Sequence, residues 1–160
     1  MHPSADSPYD RFIDGNRTAL TAEEQTGLQI FRGKGNCTAC HVGPTFSDER
    51  FHNTGIAWRD GRLHDEGRAA VTSLEADRGA FKTPTLRDIT KHPPYLHDGS
   101  ESSLREVVKL YDRGGNKNPY LDVKMEPLGL TDAEVDAIVA FLESLEGEGY
   151  QDKAPTAFPQ

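Results

Sequence analysis

One short stretch decides how this chain is interpreted: Cys37-Thr38-Ala39-Cys40-His41. Its spacing has a chemical reason. Two thiols three positions apart can reach both vinyl groups on one edge of a porphyrin and form thioethers, and the histidine that follows then lies beneath the ring as an iron ligand. The chain has no other cysteine. The motif therefore predicts one covalently attached c-type haem with His41 as its proximal ligand.

Two other kinds of site also use a C-x-x-C pair. A thiol oxidoreductase would place the pair after a buried strand, and a zinc site would need further Cys or His ligands at matching spacing. The sequence shows neither pattern, so covalent haem is the favoured interpretation.

Length and composition favour one small domain built around such a cofactor. The 160 residues are 35% hydrophobic, and the mean hydropathy is -0.67. A chain of this length is one domain by default, and a buried porphyrin would supply the apolar centre that the side chains lack. No apolar run is long enough to span a membrane, so we expect no membrane span.

Charge is unevenly distributed within the net value of -8. Residues 1–77 carry 8 basic and 12 acidic side chains, residues 78–124 carry 9 and 6, and residues 125–160 carry 1 and 8. Nucleic-acid binding would need a basic domain and is not expected. The basic middle segment could offset haem propionates and the acidic end could steer a cationic redox partner. Ordinary solvated faces explain both equally well.

The first residues suggest where the protein is found. They show neither the basic nor the apolar region of a signal peptide. Haem attachment at this motif takes place, in bacteria, outside the cytoplasmic membrane. We therefore expect a periplasmic protein whose export signal is not present in this chain.

Three capping boxes predict helix starts, each with a Ser or Thr followed three residues later by Glu. The boxes pair Thr21 with Glu24, Ser103 with Glu106, and Thr131 with Glu134. The helices are expected to run to about Arg32, to a point before Gly114, and to about Leu145. The last has the clearest apolar stripe at helical spacing, made by Val135, Ile138, Val139, Leu142 and Leu145.

The rest of the chain shows little periodicity and no convincing strand pair, above all between Val42 and Ala80. A long irregular stretch in a small domain usually serves function or wraps a cofactor. We predict an all-α fold with long loops, a cytochrome c-like haem domain over residues 21–147. Residues 1–20 are expected to be linker-like and residues 148–160 to form a frayed tail.

Longer stretches resemble one family, the bacterial di-haem cytochrome c peroxidases, including the MauG-type enzymes that mature methylamine dehydrogenase. The matching stretches are residues 7–12, 51–55, 77–87, 94–100, 111–115 and 127–131, together with the haem motif. Family members carry two haem domains, whereas this sequence resembles only the C-terminal one. The resemblance implies single-electron transfer to a redox partner protein or to a second haem domain where peroxide reacts. A peroxide-reactive, MauG-like enzyme and a haem-based sensor are the alternatives.

The distal iron ligand has two candidates. The resemblance places Tyr111 at this position, which is filled by Met in ordinary peroxidases and by Tyr in MauG-type members. Helical spacing independently puts Tyr111 on one face with Leu104, Val107 and Val108. Met125 is the competitor, because small mono-haem cytochromes c often place a thioether ligand in the loop before the C-terminal helix. We expect Tyr111.

Three basic residues are further candidates for haem contacts. His97 follows a family signature and could bond a propionate or flank the distal pocket, although a plain turn role is equally open. Arg87 and Lys82 suit charge-assisted bonds to propionates, and a surface role is as good an explanation for each.

Two other expectations are mainly negative. Trp58 could relay electrons, but packing is the better interpretation. In the family a calcium ion can lie between the two domains, held in part by carbonyls near His92 and Pro94. The domain that would complete that site is not in this chain, so tight calcium binding is not expected.

Overall fold

Helices form the first and last parts of the domain and long loops lie between them. The computed structural model describes residues 6–148. Its α-helices are α1 (Pro8–Ile13), α2 (Ala22–Arg32), α3 (Ala69–Thr72), α4 (Leu104–Asp112) and α5 (Asp132–Glu143). Short 3₁₀ turns occur at Cys37–Ala39, Glu75–Asp77 and Ile89–Lys91. The prediction of a mainly helical domain with long loops is confirmed.

Helices α2 and α5 cross at very close range. A Cβ placed on Gly27 of α2 would lie 1.8 Å from the carbonyl oxygen of Ala137 in α5. Only glycine permits this approach, which brings Leu28 and Phe31 into the same core as Phe141. The crossing of these two helices therefore forms the centre of the helical part.

An aromatic cluster fills the core beside this crossing. Tyr9, Phe31, Phe46 and Phe141 meet edge to face, with ring centroids between 5.1 and 6.1 Å apart for the pairs that involve Phe31 or Phe141. Such contacts add to the free energy gained by burying the rings. The cluster joins α1, α2, α5 and the loop after the haem motif.

The N-terminal segment is part of this core. The predicted linker-like character of residues 1–20 does not describe residues 7–20, because Tyr9, Asp10 and Leu20 are buried. A capping box of Ser7 and Asp10, not singled out in the sequence, begins α1. With only six residues, the helix is too short for an apolar face to show as a periodic pattern.

Two of the three predicted capping boxes are complete. Thr21 and Glu24 cap α2 reciprocally, and Thr131 and Glu134 do the same for α5. At α4 the Ser103 hydroxyl accepts from the Glu106 amide, but the Glu106 carboxylate accepts from the Ser102 amide instead. The predicted starts of all three helices are nevertheless confirmed.

Strand pairs are present, contrary to the expectation from sequence. Strands β1 (Phe51–His52) and β4 (Phe81–Lys82) pair antiparallel, as do β2 (Trp58–Arg59) and β3 (Arg62–Leu63). Each strand has only two residues, which is too short for an alternating pattern to be visible. The first pair joins distant parts of the long loop region, whereas the second is a local hairpin.

Two expectations concern the ends of the chain and membranes. The predicted frayed tail lies outside the described residues, except for residue 148. Among residues 6–148, no helix is both long and apolar enough to cross a membrane.

Candidate haem site

The haem motif follows directly on α2. Gly33 and Gly35 end that helix, and the first three motif residues form the 3₁₀ turn Cys37–Ala39. The His41 amide donates to the Cys37 carbonyl at 2.8 Å, which folds the histidine back under the turn. Cys37 and Cys40 are both half-buried free thiols. The two sulfurs and the imidazole are therefore presented from one compact turn.

The tautomer of His41 follows from its hydrogen bond. Its Nδ1 lies 2.8 Å from the carbonyl oxygen of Phe46, which can only accept, so Nδ1 must carry the hydrogen. Burial lowers the pKa of His41 and favours the neutral ring. A neutral imidazole with its proton on Nδ1 leaves the Nε2 lone pair for iron, as a proximal ligand requires.

The cysteines do not resemble those of a thiol oxidoreductase. Burial raises the pKa of the Cys37 thiol to about 12. Burial also raises the pKa of Cys40, although the nearby Lys124 acts in the opposite direction. Catalytic thiols have lowered pKa values, because the thiolate is the nucleophile. The alternative of a C-x-x-C redox pair is therefore disfavoured by the electrostatics of the site.

Tyr111 lies near the haem motif. It is half-buried in the last turn of α4, where Leu104 and Val108 of the same face are buried. Burial, with a smaller contribution from charge on Cys40 and Cys37, raises the pKa of its phenol to about 12. The phenol is therefore near enough to both thiols to interact with them electrostatically.

The loop that carries Met125 also reaches the motif. Lys124 Nζ donates to the Ala39 carbonyl at 2.9 Å and lies 3.8 Å from Cys40 Sγ. The Met125 methyl packs against Gly115, 3.0 Å from the place where a Cβ would be. Met125 thus contacts the segment just beyond α4, and it remains the competing ligand.

His97 and Lys82 are engaged on the surface. The His97 ring stacks on Phe81 with centroids 4.0 Å apart, and its Nε2 lies 3.2 Å from an oxygen of Asp65. Lys82 pairs with Glu49, and both side chains are about half exposed or more. Both predicted propionate partners, His97 and Lys82, thus contact other side chains in the structure.

Arg87 is not on the surface. Its side chain is only 6% exposed and forms a two-pronged ion pair with Asp10, at 2.7 and 2.8 Å. The surface role considered for Arg87 is therefore wrong, and its predicted propionate contact would have to compete with Asp10. Sequence reasoning missed this partner because 77 positions separate the two residues.

Sequence reasoning also missed a histidine held between two carboxylates. His52 Nδ1 lies 2.6 Å from Asp122, and its Nε2 lies 2.8 Å from Asp48. The Asp48 amide donates to the Cys40 carbonyl at 2.8 Å. This group joins the haem motif to the loop before Met125. The family stretch at residues 51–55 contains His52 and was the available signal.

The residues present fit a covalently bound haem. The two free thiols have the required spacing, and the imidazole leaves its Nε2 free. Cys37 packs against the apolar core cluster, and the Phe31 ring lies 6.5 Å from the His41 ring, centre to centre. A metal ion could also bind here by distance alone, because one possible ligand atom from each of Cys40, Asp48 and His52 lies within 4.8 Å of the other two. A thioether at Cys40 would remove that possibility.

Comparison with known proteins identifies the family. The profile of the family described as cytochrome c matches residues 24–146. The chain belongs to the cytochrome c family. Membership implies a covalently bound haem c and a haem-based redox function. The predicted cytochrome c-like fold is confirmed.

The relatives narrow this family further. The chain is 40% identical to the methylamine utilization protein MauG of Methylorubrum extorquens, over 91% of this chain and 40% of that protein. It is 37% identical to the cytochrome-c peroxidase IdrP2 of Denitromonas iodatirespirans, over 96% of this chain and 47% of that protein. The predicted membership of the MauG and di-haem peroxidase family is confirmed.

Solved structures agree with this assignment. A MauG-like protein associated with microbial copper homeostasis superposes with a TM-score of 0.83 at 30% identity, covering 91% of this chain and 53% of that one. The dihaem peroxidase BthA of Burkholderia thailandensis gives 0.70 at 27% identity, covering 95% and 49%. The chain spans less than half the length of the curated relatives described above.

Proposed function

We propose that this chain is an electron-transfer domain with a single covalent haem, equivalent to the C-terminal haem domain of di-haem peroxidases. Cys37 and Cys40 hold the haem, His41 is the proximal ligand, and Tyr111 is the distal ligand. The observation that carries the proposal is the turn of residues 37–41, which holds both thiols and leaves His41 Nε2 free for iron. Tyr111 lies on the face of α4 that buries Leu104 and Val108, which supports it as the sixth ligand.

The chain's own groups are suited to this role. The haem supplies a one-electron couple when bound. His41 donates Nδ1–H to the Phe46 carbonyl, which increases the basicity of Nε2. Tyr111 would bind as a phenolate, so its oxygen must lose the proton that its raised pKa otherwise retains. An anionic oxygen ligand favours ferric iron, and a closed six-coordinate site favours electron transfer over reaction with peroxide.

A partner is part of the proposal. The curated relatives named peroxidases are more than twice as long as the matched chain, which supports a second haem domain or a separate redox protein as the electron acceptor. Peroxide would then react on that partner. A periplasmic location is consistent with c-type haem attachment.

A MauG-like oxidase or peroxidase is the second candidate, and the 40% identity to MauG favours it. A haem-based sensor would share its open coordination. A six-coordinate iron that ignores peroxide and cyanide supports electron transfer, whereas a weakly ligated iron that binds them supports these alternatives. Peroxide turnover of the isolated chain within the enzymatic range of about 1–10³ s⁻¹ would favour the second candidate.

Mass spectrometry tests the foundation of the proposal. The protein is expressed with haem-attachment machinery, denatured and weighed. We expect the mass of the chain plus one haem, because it has one motif and no third cysteine. The variant Cys37→Ala/Cys40→Ala is the control and should lose the added mass. An unmodified wild-type mass, or haem that dissociates in acidified acetone, would contradict the proposal.

A further inference from the structure

Arg87 and Asp10 form a buried ion pair that does more than join α1 to the core. Besides its two bonds to Asp10, the guanidinium donates from Nη1 to Ser7 Oγ at 3.2 Å. Its remaining side, through Nε, donates to the carbonyl of Pro44 at 2.8 Å. Pro44 lies three positions after His41, in the loop that leaves the haem motif.

The segment just before Arg87 holds the same loop. Thr85 Oγ1 donates to the Thr45 carbonyl at 2.7 Å, and the Leu86 amide donates to that carbonyl at 3.3 Å. With the bond from Arg87 to Pro44, three hydrogen bonds connect residues 85–87 to two successive carbonyls of the loop. The backbone of the loop is therefore fixed from outside the motif.

The next residue of the loop, Phe46, sets the orientation of the proximal ligand. Its carbonyl accepts from His41 Nδ1 at 2.8 Å. Phe46 has φ of +52°, a left-handed conformation that a residue with a bulky side chain rarely adopts without support. Support comes from Arg87, whose guanidinium carbon lies 5.3 Å from the centre of the Phe46 ring. Arg87 thus contacts the loop on both sides of Thr45.

We propose that Arg87, held by Asp10, is a positioning residue for the proximal ligand. By fixing the Pro44 carbonyl and the Phe46 ring, it aims the Phe46 carbonyl at His41 and so sets the orientation and basicity of the imidazole. Partners of this kind in the outer shell of a metal site orient its ligands and tune the metal. The inference rests on the proposed ligation of iron by His41.

If Arg87 were instead a propionate partner, as the sequence predicts, its guanidinium would have to point at the haem edge. Replacing Asp10 would then leave the properties of the haem unchanged. In the positioning role Asp10 matters as much as Arg87, because it holds the guanidinium in place. The two roles therefore separate on the effect of an Asp10 variant.

The test compares Arg87→Gln, Asp10→Asn and the double variant, each first shown by mass to carry one covalent haem. The double variant is included because each single change leaves a buried charge without its partner, which can prevent folding. Leu20→Ala is the control: it removes buried side-chain atoms from the same core but offers no polar group to the loop. The readouts are the reduction potential and the hyperfine-shifted proton resonances of the His41 ring and haem methyls.

We expect the single variants and the double variant to shift these resonances and to raise the potential. A less basic imidazole stabilises ferric iron less, so the ferric–ferrous equilibrium should move by about threefold to tenfold. For a one-electron couple, tenfold corresponds to about 59 mV. Leu20→Ala should lower the melting temperature and leave both readouts at the wild-type values.

Two results would overturn the inference while the haem remains bound. Variants that lose stability but keep the wild-type potential and His41 resonances would show a purely structural ion pair. A pH-dependent change of potential in Arg87→Gln, with Asp10→Asn unchanged, would support the propionate role instead. A wild-type protein without covalent haem would overturn the proposed function and this inference together.

Discussion

The helix crossing and the loop region achieve order by different means. Helices α2 and α5 meet through a glycine and a continuous apolar interface. Residues 42–103, in contrast, contain only short regular elements, and buried polar side chains bind the backbone there. Asn53, for example, accepts from the Gly55 amide at 2.8 Å and donates to the Arg78 carbonyl at 2.7 Å.

This difference explains where stability and site geometry come from. Packing of apolar surface is tolerant of small changes except where backbones touch, as at Gly27. A network of side chain to backbone bonds depends on each member, because a lost partner leaves a buried group unsatisfied. The helices therefore supply most of the core, and the loops supply the precise position of His41.

The largest effect is expected at the helix crossing. Gly27→Ala should lower the free energy of unfolding by about 3 kcal/mol, because the added Cβ would overlap the Ala137 carbonyl. Helix propensity alone predicts the opposite sign, a gain of about 1 kcal/mol. Urea unfolding measures the change. Gln29→Ala, at an exposed position of the same helix, should change stability by less than about 0.5 kcal/mol. Equal or greater stability of Gly27→Ala would refute the close crossing.

A smaller effect is expected in the loop region. Asn53→Ala should cost about 2 kcal/mol, since it leaves the buried Gly55 amide and Arg78 carbonyl without their partner. The control is Asn16→Ala, an exposed asparagine that also bonds a nearby amide, that of Thr18. Its loss should stay below about 1 kcal/mol. If both variants lose the same amount in urea unfolding, buried polar contacts do not stabilise the loops as argued.

Asp48, one of the two carboxylates that bond His52, should make the free energy of unfolding depend on pH. Although burial acts to raise it, hydrogen bonds from the Arg50 amide and from His52 hold the pKa of Asp48 well below its usual range. A carboxyl group with a lowered folded-state pKa stabilises the protein above its unfolded pKa, and this contribution is lost as pH falls below about 4.

The measurement is the free energy of unfolding from about pH 6 to about pH 3. Asp48→Asn should be less stable than wild type at the upper end, and the gap should narrow in acid as wild-type Asp48 is protonated. Glu126→Gln, at an exposed position of the chain, should follow the wild-type curve. A constant gap between wild type and Asp48→Asn would show that the ionisation of Asp48 contributes nothing.

The difference between the helices and the loop region also explains what could be predicted from sequence. Capping residues and 3.6-residue spacing are local signals, so α2, α4 and α5 were predicted close to their observed starts. The pairing of Arg87 with Asp10 and the position of His52 depend on contacts between distant residues, which no local pattern contains. Leu110 of α4 shows the limit even within a helix: it is 1% exposed although it lies off the predicted apolar face.

The candidate site divides in the same way. Spacing predicts that Cys37, Cys40 and His41 act together. Helical periodicity puts Tyr111 on the apolar face of its helix, and the resemblance to the family implies its role as distal ligand. The partner of His41 could not be predicted, because the Phe46 carbonyl reaches Nδ1 only through a left-handed turn. His97 and Lys82 have other partners in the structure for a similar reason, since their neighbours Asp65 and Glu49 come from other segments.

The most direct test of the account is the ferric spectrum of wild type, Tyr111→Phe and Met125→Leu. We expect wild type to be six-coordinate without the near-infrared sulfur-to-iron band, and its potential to be low for a cytochrome because a phenolate favours ferric iron. Tyr111→Phe should open the site and allow cyanide to bind, while Met125→Leu should leave the spectrum unchanged. Loss of six-coordination in Met125→Leu alone would contradict the account and identify a His/Met electron carrier.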